Sequence, residues 1–401
     1  MKPNVHAVRA LALVLLAGPL AAGHAVPADS GRHAAACGLL ETVRHAEHLP
    51  GLTAAVGWPD GSIVEFGIGR AAGNGGPVPP SAKFLSGSIG KTFVAMVLAD
   101  LYERGIVDLD APLKGLFGNE SWFRRLPNWD RVTLRELLTH SSGWPTHVES
   151  AAFRRMASRR EQRCPTCSIS PREAISYIEG AKPLFPPGQG YFYSETNYLV
   201  AGLAIEKLTG RSYYAELGEV LLEPLGLEET MPSNTNEIPG LIAGAMTPKE
   251  NYFGLPDSST LRDGKLVYNP SLEWTGGGLA ATSADLVRWG RLLYTGRALP
   301  EPYLQDLFAS VPTGAPNVRY GLAVEIRGRG RNVSYGHSGS IPGYRSVMGY
   351  FPASGLTVAA QFNIDPPDDD QDHFSPLVAA ALRAAALEKR AGGGFTAIRC
   401  D

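Results

Sequence analysis

The 401-residue sequence predicts an α/β protein of the α+β kind: an antiparallel β-sheet flanked by terminal helices, with a mostly helical lobe inserted in the middle. Three observations carry that prediction. Runs that read as strands cluster at both ends of the chain, Leu52–Trp58 and Ile63–Gly67 at one, Tyr320–Ile326, Val333–Tyr335, Tyr344–Phe351 and Leu356–Phe362 at the other. Helical patterns lie outside them, over Ala35–His48 and Phe374–Leu387. From Leu101 to Pro232 the pattern changes to helices and loops.

Taken in order, residues 1–25 have a basic start (Lys2, Arg9), an apolar run Ala10–Ala22 and small residues Gly23 and Ala25 at a cleavage point. They read as a secretory signal peptide, too short and too rich in small residues for a stable membrane anchor. Residues 26–401 read as a single catalytic unit, with a sheet lobe at about 35–100 and 276–390 and a helical lobe at about 101–275. The first helix ends at Pro50-Gly51, and Pro59-Asp60-Gly61-Ser62 turns the chain between the first two strands. A Gly/Pro-rich loop, Gly73 to Pro80, leads to an apolar helix that stops at Gly105. Val132–Thr139, Pro171–Gly180 and Asn197–Leu208 read as helices of the inserted lobe. Residues 233–275 are polar and rich in turns, and Ala284–Tyr294 returns as a helix before the late strands. The run Asp368-Asp369-Asp370 precedes the last helix, where solvated acids suit the helix dipole better than they suit a metal.

Composition excludes several functions. A formal net charge of −2, with no basic run, offers nothing to neutralise phosphates, so nucleic acid is not an expected partner. With 44% hydrophobic residues the chain can build a large core. In an exported protein its four cysteines favour disulfides. Cys37 lies near the mature N-terminus and Cys400 is penultimate, while Cys164-Pro165-Thr166-Cys167 is compact, so the expected pairs are 37–400 and 164–167. The rival reading of Cys164 and Cys167 as a redox dithiol is disfavoured because they sit in an Arg-rich loop rather than after a strand.

Ser88-Ile89-Gly90-Lys91 opens the apolar helix through Phe93, Val94, Met96, Val97, Leu98 and Leu101. Residues three apart on a helix share a face about 5–6 Å apart at Cβ, so the Lys91 amine can reach the Ser88 hydroxyl. A serine hydroxyl needs an adjacent group to take its proton, which makes the pair a nucleophile with a base. Ser-x-x-Lys alone is a weak signal, since one match arises by chance in a chain of this size.

Two further segments complete a pattern: Pro187-Gly188-Gln189-Gly190-Tyr191-Phe192-Tyr193-Ser194-Glu195-Thr196-Asn197-Tyr198, and Gly336-His337-Ser338-Gly339-Ser340. Val132 to Gly143, and Gly276-Gly277-Gly278-Leu279 with Ala281 to Leu286, connect them. From about Leu52 to Phe362 the chain resembles the serine hydrolases that include class C β-lactamases, DD-carboxypeptidases, D-aminopeptidases and related esterases, with a β-lactamase/transpeptidase-like fold. The resemblance implies that Ser88 forms an acyl-enzyme, that Lys91 and Tyr193 move protons, and that the Ser88 and Ser340 N–H groups hold the oxyanion. His337, in the third motif, joins the catalytic set, and Ser338 and Gly339 line the substrate. A Lys91 ammonium is expected to lower the Tyr193 phenol from its reference of about 10. Glu195 stands where the family usually has Asn, placing a carboxylate within reach of Lys91 or of a substrate amide; unlike Asn, an ionised Glu cannot donate a hydrogen bond to a substrate carbonyl. Glu325 precedes the third motif, with Arg327, Arg329 and Arg331 as solvated neighbours.

The expected protein is a secreted or periplasmic serine hydrolase, with no metal and no organic cofactor, acting on a small-molecule or peptide substrate. The favoured substrate is a peptide-like amide, D-configured or DD-peptidase-like. The alternatives are an esterase or β-lactamase of the same family, or a β-lactam-binding sensor that acylates without turnover. Oligomeric state is left open by the sequence.

Overall fold

A computed structural model of the chain describes residues 29–73, 75–164, 167–247, 259–300, 302–364, 374–389 and 394–400. The signal-peptide reading and the Asp368–Asp370 run lie outside the described residues. Among those described, nine strands form the main sheet: β1 (Gly51–Gly57), β2 (Ile63–Gly69), β3 (Val311–Pro312), β4 (Val318–Tyr320), β5 (Glu325–Arg327), β6 (Ser334–Ile341), β7 (Tyr344–Phe351), β8 (Leu356–Phe362) and β9 (Phe395–Cys400). Their spatial order is β9-β2-β1-β8-β7-β6-β5-β4-β3. Five helices position the site: α1 (Asp29–Ala46), α2 (Gly90–Glu103), α3 (Glu195–Thr209), α4 (Ser283–Tyr294) and α5 (Phe374–Glu388).

Both faces of the sheet are covered, which is why β1 is buried along its whole length. Leu52, Ala54 and Val56 point to one face and pack with Leu40 of α1 and Leu377 and Ala381 of α5. Ala55 points to the other, into a core shared with Phe93 of α2 and Trp289 of α4. Phe93 and Trp289 stack at 4.2 Å between ring centroids, and Trp289 Nε1 donates to Thr92 Oγ1 at 2.7 Å, fixing α2 against α4. Glu65 of β2 accepts the Ala284 N–H at the start of α4 at 2.8 Å; its burial raises the carboxyl to about 7.

The sheet is antiparallel except at one edge, where β9 runs parallel to β2. The sequence pattern ends at the last helix and does not mark this strand, whose six residues follow Gly392-Gly393-Gly394 and carry little apolar pattern. The reading also took Tyr320–Ile326 as continuous; a turn with Ala323 at φ +55° splits it into β4 and β5. The Cys164–Cys167 loop follows directly on a helix over Ala151–Arg163, with Cys164 as its C-cap; the sequence does not mark this helix because its arginines mask a narrow apolar stripe of Phe153, Met156 and Ala157.

Cys37 is bonded to Cys400 and Cys164 to Cys167. The first bridge joins α1 to β9 rather than to the last helix, and it spans 363 residues. Replacing both Cys37 and Cys400 by Ser is expected to cost on the order of 5 kcal/mol in chain-entropy terms. Chemical denaturation of the double variant, with non-reducing peptide mapping of the parent, measures this. An unchanged midpoint would mean that the bridge constrains nothing beyond what the packing of α1 on α5 already does.

Candidate active site

Ser88 lies in a single tight turn, Gly87–Ile89, that feeds directly into α2. Gly87 has φ +51°, and a side-chain carbon there would fall 2.6 Å from the Ser340 nitrogen, so only glycine lets the turn lie against β6. Pairing between β5 and β6 ends at Glu325↔Gly336, which leaves residues 337–341 of β6 bonded only to β7 and open on the side of the Ser88 turn. Gly339 lets this edge close: a side-chain carbon there would meet the Ser86 carbonyl oxygen at 1.9 Å. Ser340 is exposed, Ser338 partly so, and Ser88 half-buried.

Lys91, the second residue of α2, is fully buried. Its Nζ donates to Ser88 Oγ at 2.9 Å, to Glu195 Oε2 at 2.6 Å and to the Gly276 carbonyl. An ammonium has three N–H groups, and three acceptors surround this one. Glu195 is the first residue of α3, its own N–H held by Thr146 Oγ1 at 3.2 Å, so the helix start aims the carboxylate at Lys91 while leaving its side chain 20% exposed. The Lys91 Nζ also lies 5.0 Å from the Tyr193 ring centroid and 5.4 Å from that of Tyr198.

The Tyr193 hydroxyl is buried near Ser88 and, among the described residues, has no hydrogen-bond partner of ordinary geometry. Burial first, then the Glu195 carboxylate, raise the phenol well above its usual value, and the nearby Ser88 hydroxyl offsets this only in part. The expected lowering by Lys91 is therefore overturned: desolvation outweighs it, and the carboxylate that pairs with Lys91 also opposes a phenolate. Tyr193 is a protonated phenol.

His337 sits in β6 with both ring nitrogens engaged. Nδ1 donates to the Ser338 carbonyl at 2.6 Å, and Nε2 accepts from the Tyr320 hydroxyl at 2.7 Å. Burial lowers it to about 4, against the pull of Glu325. The ring is thus neutral and fixed in one tautomer. Arg327 is not solvated as expected: it pairs with Glu325, while Arg329 and Arg331 are exposed. For Glu325 burial acts upward, yet the paired Arg327 guanidinium prevails and holds the carboxyl below its usual range.

The chain matches the Beta-lactamase family over residues 38–382. It belongs to that family. Among its relatives, penicillin-binding protein 4* of Bacillus subtilis (strain 168) is 26% identical over 68% of this chain and 58% of its own length. D-aminopeptidase of Gluconobacter oxydans (strain 621H) is 27% identical over 78% of this chain and 54% of its own. The chain thus spans little more than half the length of these curated relatives. Among solved structures, D-stereospecific amidohydrolase from Streptomyces sp. superimposes with a TM-score of 0.72 at 27% identity, covering 87% of this chain and 98% of that one.

Three residues of the candidate site carry no mark of their own in the sequence. Tyr320 holds the His337 ring from two strands away. His140, at φ +58°, clamps the second motif: its carbonyl accepts the Phe192 N–H at 3.0 Å, its Nδ1 accepts from the Ser194 N–H at 3.2 Å, and its ring lies 4.1 Å from that of Tyr193. Burial, with Lys91 next, keeps His140 neutral. Its place in Leu137-Leu138-Thr139-His140-Ser141-Ser142-Gly143, a stretch already matched to the family, was the available signal. Glu273 lies in a turn-rich segment with no pattern to mark it.

Proposed function

We propose that the protein is an exported serine hydrolase that takes the acyl group of a peptide-like amide onto Ser88. The observation that carries this reading is the Lys91 Nζ at 2.9 Å from Ser88 Oγ on one side and 2.6 Å from Glu195 Oε2 on the other. Lys91 passes a proton to the Glu195 carboxylate and, as a free amine, takes the Ser88 proton while Oγ forms its bond to the carbonyl carbon. The Ser88 and Ser340 N–H groups receive the oxyanion. Tyr193, held as a phenol, protonates the leaving amine as the C–N bond breaks and is reprotonated through Lys91. Water then takes the acyl group off Ser88 by the same path in reverse. His337 and Tyr320 act from behind, fixing β6. Ser338 and Gly339 line the substrate along the open edge.

The relatives named D-aminopeptidase and D-stereospecific amidohydrolase support an amide whose acyl part is a D-amino acid. Two disulfides support an oxidising compartment, and hence the secreted or periplasmic reading. The test is a panel of D-amino-acid amides, DD-dipeptides, nitrophenyl esters and cephalosporins, with mass spectrometry of Ser88. Turnover of D-amino-acid amides is expected; a persistent penicillin adduct without turnover of any amide would make the protein a sensor instead.

Glu195 adds a specific expectation. A carboxylate beside the nucleophile repels substrates that carry their own, a discrimination of about 1–3 kcal/mol for a partly desolvated contact. Amide-capped substrates should therefore beat carboxylate-terminated ones, and Glu195→Asn should narrow or reverse the preference while raising reactivity with β-lactams. kcat/KM for matched pairs on both proteins decides it. A ratio untouched by the substitution would take Glu195 out of substrate discrimination.

A further inference from the structure

Tyr193 must hold its phenol at the reacting atoms, yet among the described residues no hydrogen bond of ordinary geometry steers its hydroxyl. What orients the ring is packing. Tyr320 and His337 lie 6.1 and 6.3 Å from it between ring centroids, and the Lys91 Nζ lies 5.0 Å from its centroid. His140 is nearer than any of these, at 4.1 Å and tilted by 41°.

The His140 ring is fully buried and is itself held from several sides. The residue follows the short helix Leu134–Leu138 at φ +58°, a backbone that glycine takes freely and a histidine takes only at a cost. Its Nδ1 is shared by the Ser194 N–H and the Asn197 Nδ2, both at 3.2 Å. Asn197 is set in turn by the Ser142 hydroxyl, which donates to its Oδ1 at 2.8 Å. An Nδ1 that accepts from a backbone N–H leaves the ring proton on Nε2, so the imidazole is neutral and in one tautomer. Nε2 has no partner among the described residues, so the polar anchor of the ring lies at Nδ1. Tyr320, Tyr198 and Tyr191 surround the ring at 4.9, 5.2 and 6.1 Å between centroids. A ring anchored through the residue next to Tyr193, and walled in by three more phenols, offers its neighbour a single pose.

We propose that His140 is the positioning residue for Tyr193: its imidazole is the platform that aims the phenol at the departing nitrogen of the substrate. The proposal rests on Tyr193 being the acid that protonates the leaving amine while Ser88 takes the acyl group. His140 touches neither substrate nor Ser88 in this scheme and acts only through the pose of the phenol. Its contribution therefore depends on the leaving group. An amine departs only with a proton, whereas nitrophenolate departs without one, so a misplaced phenol slows amides far more than nitrophenyl esters.

The experiment compares D-alaninamide with the nitrophenyl ester of D-alanine on the full chain. Both form the same acyl-enzyme on Ser88 and differ only in what departs. His140→Asn and His140→Gly each remove the ring, and both residues accept the backbone at φ +58°, so two variants guard against one failing to fold. In each, kcat/KM for the amide should fall by about 10²-fold, as for a general acid displaced by an ångström, and the loss on the ester should be smaller by about 10-fold or more. In a Tyr193→Phe background the same exchanges should change the amide rate by no more than about 2-fold, because the phenol they position is gone. A general loosening of the fold would instead depress amide and ester alike and would add to Tyr193→Phe. Equal losses on the two substrates, no loss, or a full loss retained in the Tyr193→Phe background overturns the proposal. Tyr193→Phe alone separates the two levels of the argument: equal amide and ester losses in that variant overturn Tyr193 as the leaving-group acid and the proposal with it, whereas a selective loss there beside an unselective one at His140 overturns the proposal alone.

Discussion

Ser88→Ala is expected to abolish fluorophosphonate labelling and to lower amide hydrolysis by about 10⁶-fold, the loss met when a nucleophile is removed from an integrated set. The fold should survive. Ser88 is half-buried and its hydroxyl serves as one of three acceptors around the Lys91 Nζ. Without it, Lys91 keeps the Glu195 carboxylate and the Gly276 carbonyl, so the buried cation is not stranded. The turn itself depends on the Gly87 backbone and on the fit of Gly339 to Ser86, neither of which needs the hydroxyl. Thermal melting of the variant should therefore track the parent while intact-mass spectrometry finds no adduct. Labelling that persists in the folded variant would place the nucleophile elsewhere.

What could be read in the sequence follows from the range of the interactions. Ser88 and Lys91 are one helical turn apart, so their meeting was a matter of local geometry. Tyr193 and Glu195 straddle the start of α3 and were placed near Lys91 only through the resemblance, since 104 residues separate Lys91 from Glu195. The strands at the two chain ends announced themselves by pattern, whereas β9 and the helix Ala151–Arg163 carried too few apolar residues to do so. The state of Tyr193 illustrates a different limit. One neighbouring charge does not set its direction, because the cost of desolvation depends on how deeply the phenol is buried, and burial is a property of the whole fold. Tyr320 and Glu273 lay beyond reach for a related reason: each acts through a contact across the structure, and neither belongs to a motif.

Lys91→Ala and Tyr193→Phe should each remove much of the same rate, and the double variant should be hardly slower than the worse single one. Each group alone contributes to proton transfer on a scale of about 10²–10⁴-fold, but here the two lie on one path: Lys91 takes the Ser88 proton, and Tyr193 must be resupplied through Lys91. The Lys91 Nζ lies 5.0 Å from the Tyr193 ring centroid, so the two groups share one small site around Ser88. Stability separates this effect from unfolding. Among the described residues the buried Tyr193 hydroxyl has no hydrogen-bonding neighbour but the Ser88 hydroxyl, held in poor geometry, so deleting it strands no buried group, and Tyr193→Phe should hold Tm while rate falls. Lys91→Ala should lower Tm, because it strips the largely buried Glu195 carboxylate of its ion pair. Single-turnover acylation rates and melting curves for the three variants measure both quantities together. If the two losses simply multiply in the double variant, Lys91 and Tyr193 act on separate steps, and the single proton path is wrong.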